Sequence, residues 1–214
     1  MQSAKKRNKP GRPAAGQSLD PKQVAEAALH LIDSEGIDGF SMRRLGQALG
    51  VEAMALYNHY KDKDAILDAV ASLVLSSVPL PPSKGVWKSR LKALCTGVRR
   101  TARQKPSLFH LAMTRPLPPA AGVTLVEAAL AILSDAGLKG AALASAYHIC
   151  WLYVRAFCLW ENDELTQKPE AAQLADMATS YPRAAAAISS IFESDPDRQF
   201  ERGLDLILRG LVKC

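Results

Sequence analysis

The chain has 214 residues, of which 48% are hydrophobic and 22% are charged, a composition typical of a globular protein with one large or two small domains. Its four cysteines show no C-x-x-C spacing, which argues against a disulfide framework and against a zinc site. The formal net charge of +6 favours an anionic partner, and residues 1–17 and 69–126 contain bases but no acids.

A flexible arm of residues 1–18 precedes the first predicted helix. The arm is polar and basic and contains Pro and Gly, as disordered segments do. Asp20 is a favourable N-cap, Pro21 suits the first helical position, and Gly36 is a stop signal. Four apolar residues between them recur at helical spacing: Val24, Ala28, Leu31 and Ile32.

Three more helices follow in the N-terminal part of the chain. Ser41 is predicted to cap a short helix that ends at Gly50, residues 53–59 to form a third helix, and Asp62 to cap a fourth. The residues predicted to face the interior are Leu45, Ala48, Leu49, Val51, Leu56, Tyr60, Ile66, Leu67, Val70, Leu73 and Val74.

The proline-rich residues 79–84 stop this pattern, so we place a boundary between a domain of residues 19–78 and a domain of residues 79–214. The elements predicted in the second domain are a helix over 87–102, a loop over 115–122, a helix over 124–136, a long apolar helix over 140–161, a polar and partly mobile segment over 162–195, and a last helix from 195–196 onward. No strand pattern appears, so the predicted fold class is all-α.

The sequence predicts a cytoplasmic protein without a membrane partner. The basic N-terminus lacks the apolar segment of a signal peptide. The most apolar stretch, residues 140–160, contains His148 and Arg155, which a membrane span rarely carries together. We therefore interpret this stretch as a buried, central helix.

Two short helices separated by a Gly turn and resting on a longer helix have the proportions of a helix-turn-helix. In that motif the second helix enters the major groove. Tyr57, Asn58 and His59 are then expected to project outward, where they can bind phosphates or base edges. By spacing alone, Tyr57 and His59 could equally be rim residues of an ordinary helical hairpin.

Residues 41–70, SMRRLGQALGVEAMALYNHYKDKDAILDAV, resemble the DNA-binding signature of the TetR family of transcriptional regulators. Residues 110–116, 129–147 and 200–211 resemble the ligand-binding and dimerisation domain of its tetracycline-repressor subgroup. The resemblance implies a three-helix helix-turn-helix domain that a fourth helix joins to a helical bundle.

The resemblance also implies the DNA contacts. Arg43 is expected to reach a guanine edge, Tyr57 a phosphate or a thymine methyl, and His59 and Lys63 phosphates. The variable recognition positions are apolar here and offer methyl contacts without hydrogen bonds. The residues predicted to contact DNA are Ser41, Met42, Arg43, Ala53, Met54, Ala55, Tyr57, Asn58, His59, Lys61, Lys63 and, in the arm, Arg12.

Two basic segments leave alternatives open. Gly11-Arg12-Pro13 resembles the core of an AT-hook that enters the minor groove, but a solvated tail would look the same. The bases of residues 84–105 are interpreted as a solvated helix face, with a second nucleic-acid site as the alternative.

The subgroup places its effector pocket in the C-terminal domain. Pro79, Leu94 and Ala129 stand where polar contacts to a magnesium–tetracycline complex would be expected, so we predict a more apolar cavity and neither cofactor nor metal. The predicted ligand-binding residues are Trp87, Leu94, Val98, His110, Arg115, Leu130, Tyr147, His148, Trp151, Arg155 and Glu161. Arg115 or Arg155 would anchor an anionic or carbonyl group; the alternatives are a structural ion pair for Arg155 and a surface position for Glu161.

These observations predict a ligand-responsive regulator, a repressor, that binds a palindromic double-stranded DNA operator as a homodimer and is released by a small-molecule effector. Dimerisation is assigned to the helices over 124–136 and 200–211. The alternatives are a helical small-molecule-binding protein or enzyme without DNA binding, and a purely structural helical dimer. The sequence shows no paired carboxylates, phosphate loop or Ser/His/Asp grouping, so we do not expect an enzyme.

Overall fold

The computed structural model describes residues 19–115, 120–162 and 168–211. Within these ranges all regular structure is α-helical, which confirms the predicted all-α class. The helices are α1 (Pro21–Glu35), α2 (Met42–Leu49), α3 (Ala53–Leu56), α4 (Lys63–Ser76), α5 (Trp87–Gln104), α6 (Pro106–Thr114), α7 (Ala120–Asp135), α8 (Gly140–Glu161), α9 (Ala171–Ser180), α10 (Pro182–Glu193) and α11 (Pro196–Gly210). The predicted arm, with Arg12, lies outside the described residues.

The helices form two compact units. The first contains the described residues up to Val74 together with residues 107–115. The second contains residues 75–106 and the described residues from 120 onward.

Local capping interactions begin and end α1 and α2 as predicted. The Asp20 carboxylate accepts a hydrogen bond from the backbone N–H of Lys22 (3.0 Å), and the Ser41 hydroxyl accepts one from the N–H of Arg44 (3.2 Å). Gly50 ends α2 with a φ of 70°, in the left-handed region that glycine adopts without a Cβ clash.

One predicted interior position of α2 is wrong, because Ala48 is exposed. The inward face is formed instead by Met42, Leu45, Gly46 and Leu49. Gly46 lies against the turn that leads to α3, where an added Cβ would be only 2.8 Å from the carbonyl oxygen of Val51. Ala48 follows Gly46 by two residues and therefore lies on the opposite, exposed side of α2.

Helix α3 is shorter than the predicted helix over residues 53–59. After Leu56 the chain continues as a tighter turn, in which the N–H of His59 donates to the carbonyl of Leu56 at 3.0 Å. Asp62 then begins α4 as predicted, since its carboxylate accepts from the N–H of Ala65 at 2.8 Å.

Helix α6 lies between the predicted helix over 87–102 and the predicted loop from 115, where no helix had been predicted. Leu108 and Leu111 on this helix are buried in the core of the first unit. The other buried members of that core are Val24, Ala28, Ile32, Phe40, Leu45, Leu56, Ile66, Leu67, Val70 and Val74. Pro106 at the first helical position is the signal that indicates this helix.

The second unit is built on α5 and α8. Helix α5 contacts α7 and α8, and α8 also contacts α7 and α11. The apolar stripe predicted for α5 is buried at Leu91, Leu94, Val98 and Ala102. Helix α7 begins at Ala120, four residues before the predicted start at 124.

Helices α9 and α10 occupy most of the segment that was predicted to be polar and partly mobile, and in which no helix had been predicted. Glu170 and Gln173 form a capping box at the start of α9, and Pro182 begins α10. The two helices contact each other closely, but within them only Ala185 is buried.

Helix α8 has the predicted bounds but is not buried on all sides. Cys150, Val154 and Cys158 face inward, whereas Ile149 is 50% and Leu152 is 48% exposed. In length and composition α8 resembles a helix that crosses a membrane, and only 22% of its most apolar 18-residue stretch is buried within the chain. The interpretation of a fully buried central helix is therefore wrong, because a single chain covers only one side of α8.

Candidate functional site

Helix α3 presents an apolar surface to solvent. Leu56 is fully buried and anchors the helix in the core of the first unit. Met54, about half a helical turn away, is 72% exposed, and Ala53 and Ala55 are half-buried. A thioether side chain flanked by two methyl groups therefore stands on the outside of α3.

The two adjacent arginines of α2 have different environments. Arg44 donates to the Glu35 carboxylate of α1 at 2.9 Å. Arg43 is exposed and has no ion-pair partner among the residues that the structure describes. Only the Arg43 guanidinium is thus available to bind another molecule without breaking an ion pair.

The polar residues predicted to contact DNA beyond α3 are accessible. Tyr57 is 45% exposed; Asn58, Lys61 and Lys63 are exposed, and His59 is half-buried. Lys63 begins α4, and its ammonium lies 5.4 Å from the centre of the Phe40 ring. A lysine beside the N–H groups of a first helical turn is suited to binding a phosphate.

Three residues near this surface hold the helices in place. The half-buried Ser41 caps α2, and Met42 packs against the core of the first unit. The Tyr60 hydroxyl donates to the carbonyl oxygen of Pro21 at 2.7 Å, which ties the end of the helix-turn-helix to the start of α1. Burial, and then the nearby Asp20 carboxylate, raise the pKa of Tyr60.

Most of the bases of α5 pair with acids of other helices in the second unit. The pairs are Arg90–Asp135, Lys92–Asp205, Arg99–Glu161, Arg99–Asp197 and Arg103–Asp197. The interpretation of this run as a solvated face is wrong for Arg90 and Arg99, whose side chains are 11% and 6% exposed, whereas those of Lys92 and Arg103 are 42% and 53% exposed. Because their charges are matched within the chain, α5 is also poorly suited to be a second nucleic-acid site.

Arg99 is the centre of this network and is buried, with a side chain 6% exposed. It donates to both oxygens of the Glu161 carboxylate, at 2.8 and 2.5 Å, and to Asp197 at 2.8 Å. Its guanidinium lies 5.2 Å from the Phe157 ring centre and 4.9 Å from that of Phe200. Desolvation alone would lower the pKa of Arg99, but the two carboxylates outweigh it and the pKa is raised.

The predicted effector residues lie in both units. Leu94 and Val98 are buried, His148 is exposed, and the others of the second unit are half-buried: Trp87, Leu130, Tyr147, Trp151, Arg155 and Glu161. His110 and Arg115 belong to the first unit. The structure thus divides the predicted set between two separately packed parts of the chain.

Two of the predicted ligand-binding charges already have partners. Arg115 binds the carboxylates of Asp64 (3.2 Å) and Asp68 (3.3 Å), and Glu161 binds Arg99. Arg155 has no ion-pair partner within the described ranges. Of the two arginines suggested as anchors for an anionic ligand, Arg155 is therefore the one whose charge is not matched.

An open cleft of about 560 Å³ lies elsewhere in the second unit. Its lining residues are Pro79, Leu80, Pro81, Pro82, Lys92, Ala93, Thr96, Gly97, Arg100, Glu201 and Leu204. None of the predicted effector residues lines this cleft.

Two family models match the chain, and together they span most of it. The model of bacterial regulatory proteins of the tetR family matches residues 24–70, and that of the tetracyclin repressor-like C-terminal domain matches residues 78–214. The chain belongs to the TetR family. The resemblance found in residues 41–70 is thereby confirmed, and this TetR family protein is a DNA-binding transcriptional regulator.

Individual relatives agree with this assignment. The class C tetracycline repressor of Escherichia coli is 34% identical over 203 residues, with 91% of each chain covered. The class A tetracycline repressor from transposon 1721, also of E. coli, is 32% identical, again with 91% of each covered. The crystal structure of apo ActR from Streptomyces coelicolor has a TM-score of 0.78 at 30% identity, covering 93% of this chain and 97% of ActR.

Several contacts of this TetR family protein were not expected from its sequence. The bidentate Arg99–Glu161 pair joins residues 62 positions apart, and no local pattern selects Glu161 from the other acids. The Arg115 pairs with Asp64 and Asp68 likewise join α4 to the residue that follows α6. The spacing of four between Asp64 and Asp68 was a signal for these pairs, because it puts both carboxylates on one face of α4, where one base can reach them.

Proposed function

We propose that this TetR family protein is a cytoplasmic, homodimeric repressor that binds a palindromic double-stranded DNA operator and leaves it when a small-molecule effector binds. The observation that supports the DNA-binding role best is the contrast on the helix-turn-helix. Arg43 is exposed and unpaired beside a buried scaffold, while its neighbour Arg44 is paired with Glu35.

In this proposal Arg43 and α3 contact base edges in the major groove, and the residues that follow α3 bind the backbone. His59, Lys61 and Lys63 are proposed to bind phosphates, and Arg12 of the arm to enter the minor groove. Phosphate contacts set the position on the duplex, whereas base-edge contacts select the sequence. The two classes of residue should therefore be separable by experiment.

The test is selection of genomic fragments by the purified protein, followed by titrations at several salt concentrations. Arg43→Ala should weaken operator binding by about 1–3 kcal/mol and relax the preference at one base pair, because a bidentate guanine contact is lost. Lys63→Ala should weaken binding to all sequences and reduce the salt slope by about one unit.

Arg44→Ala is the matched control for Arg43→Ala, since it removes the same charge from the next residue and should leave the base preference unchanged. If Arg43→Ala and Lys63→Ala both bind as the wild type does, the assignment of the interface is wrong. If the wild type shows no salt-sensitive binding to duplex DNA, a small-molecule-binding function without DNA is the better account.

The homodimer is proposed to form through the exposed sides of α8 and α11. In this proposal α8 replaces the helix over 124–136, which was predicted to form the dimer together with the helix over 200–211. Ile149 and Leu152 on α8 are about half exposed, and Leu206 on α11 is 70% exposed. Two copies of each helix would cover these side chains in a four-helix interface. Leu204 and Leu208, by contrast, are buried within the chain, so substitutions there would test folding and not assembly.

Light scattering coupled to size-exclusion chromatography tests this assignment. The wild type should be a dimer at micromolar concentration without DNA, and Leu152→Glu and Leu206→Glu should be helical monomers. Ile191→Glu on α10, at a side chain 41% exposed, is the control and should stay dimeric. A monomeric wild type, or dimers in both leucine variants, would contradict the proposal.

The effector is proposed to bind in the second unit and to shift the spacing of the two recognition helices. A palindromic operator requires both helices to enter major grooves about one turn (~34–36 Å) apart, so a small pivot prevents simultaneous contact. ActR, 29% identical at a TM-score of 0.79, has been crystallised with actinorhodin, which supports ligand binding in this architecture.

The chemistry proposed for the effector is an apolar body with one anionic or carbonyl group. The apolar wall would consist of Trp87, Leu94, Val98, Leu130 and Trp151, and the unmatched charge of Arg155 would anchor the polar group. Candidate ligands can be titrated while tryptophan fluorescence and DNA release are followed. Arg155→Ala should weaken the response to anionic ligands only; tight magnesium-dependent release by tetracycline, with no response to apolar ligands, would contradict this proposal.

A further inference from the structure

Helix α3 is the recognition helix of the proposed DNA-binding domain, and its largest exposed side chain, Met54, is apolar. Met54 is the most exposed of the large hydrophobic residues in the described part of the chain, at 72%. It is absent from the core of the first unit and from the residues packed against that core. The burial of Leu56 already anchors α3, so packing within the chain does not account for Met54.

The residues predicted to contact DNA near Met54 in the sequence are of two kinds, those that donate hydrogen bonds and those that make only apolar contacts. Arg43 and Asn58 are exposed and carry strong hydrogen-bond donors, while Ala53 and Ala55 carry only methyl groups. A thioether is at best a weak acceptor, so Met54 can contribute only van der Waals and apolar contacts. The one apolar group on a base edge of the major groove is the C5-methyl of thymine.

We infer that Met54 is a specificity-determining residue that recognises the C5-methyl group of one thymine in each operator half-site. The inference rests on the proposed DNA-binding function. It distinguishes Met54 from Arg43, whose selectivity depends on the hydrogen-bonding atoms of guanine. The Met54 side chain is not expected to form a hydrogen bond with the group at C4 of the pyrimidine ring. Met54 should therefore bind 5-methylcytosine at the same position as well as it binds thymine.

The experiment uses the full-length protein and duplexes that carry its selected operator. Each thymine is replaced in turn by deoxyuridine, which removes the methyl group and keeps every hydrogen-bonding atom. At one position per half-site the replacement should weaken binding about fourfold, and about 15-fold when both half-sites are changed, as expected for the loss of one and two buried methyl groups. Cytosine at that position should bind more weakly than 5-methylcytosine by a similar factor.

Variants then assign the effect to one side chain. Met54→Ala should bind thymine and deoxyuridine duplexes equally at that position, and Met54→Gln should shift the preference towards adenine because an amide pairs with its N6 and N7. Arg44→Ala on α2, where the arginine is paired with Glu35 and is not a predicted DNA contact, should keep the full sensitivity to the methyl group. Circular dichroism and the dimer mass establish that each variant is folded.

The inference is overturned if no thymine is sensitive to deoxyuridine, or if Met54→Ala retains the sensitivity of the wild type, since another residue such as Tyr57 would then recognise the methyl. A different result would contradict the proposed function itself, namely that no selected duplex binds more tightly than random DNA. That result would overturn the inference as well.

Discussion

Replacement of Arg99 by methionine tests whether the buried ion-pair network holds α5, α8 and α11 together. Methionine keeps most of the side-chain volume but leaves the Glu161 carboxylate, itself only 12% exposed, without its bidentate partner. Removal of one member of a buried pair costs about 3–5 kcal/mol, mainly because the remaining charge is desolvated. Asp197 adds little to this cost because it is 63% exposed and stays hydrated.

Urea unfolding followed by tryptophan fluorescence measures the effect in the relevant unit, because Trp87, Trp151 and Trp160 all lie in the second unit. Wild type and variants are compared at equal protein concentration, since dimer formation adds to the apparent stability. Arg100→Met is the matched control: the neighbouring arginine is exposed and lacks a carboxylate partner in the described residues, so the change should stay within about 0.5 kcal/mol.

The double variant Arg99→Met, Glu161→Leu removes both charges and should recover most of the lost stability. A loss below about 1 kcal/mol in the single variant would refute the reasoning, because it would mean that solvent still reaches the Glu161 carboxylate. A double variant as unstable as the single one would attribute the loss to packing against Phe157 and Phe200, and not to an uncompensated charge.

Three further predictions follow from close contacts and burial. Gly203→Ala should destabilise the second unit by about 1–3 kcal/mol in urea unfolding, since the new Cβ would lie 2.2 Å from the Tyr153 hydroxyl oxygen. Gly210→Ala is the control and should be neutral or stabilising, because a Cβ at Gly210 would meet no neighbouring group within 4 Å. Gly46→Ala should lower both the thermal stability and the operator affinity, because its Cβ would meet the backbone of the α2–α3 turn at 2.8 Å; normal operator affinity would show that the turn tolerates a shift. Burial raises the pKa of Cys150 from its ordinary 9.0 to about 11. The unfolded thiol therefore ionises first, and the free energy of unfolding should fall as the pH rises from about 9 to 11. Cys150→Ala should make that fall smaller by up to about 3 kcal/mol, and an unchanged pH profile would contradict the assignment.

The helix-turn-helix could be predicted almost completely because its signals are local. A cap such as Asp20 or Ser41 acts on N–H groups two or three residues away, and Gly50 acts through its own φ angle. The apolar spacing of α1 and α4 was sufficient to identify the core positions Val24 and Val70.

Helices that are short or bury little were harder to predict, in both units. Helix α6 buries Leu108 and Leu111, but nine residues hold too few turns for a clear period. Helices α9 and α10 together bury only Ala185, so almost none of their apolar positions is a core position that a sequence pattern could identify.

The sequence by itself determined the all-helical class, the caps of the helix-turn-helix and the apolar character of α8, because each depends on residues within a few positions of one another. Only the tertiary structure decided which charges are neutralised and which apolar side chains remain uncovered. Arg99 and Arg100 are neighbours with the same chemistry, but one meets a carboxylate 62 positions away and the other faces solvent. Ile149 and Cys150 likewise differ because spacing defines the faces of a helix, whereas the packing of other helices defines which face is buried.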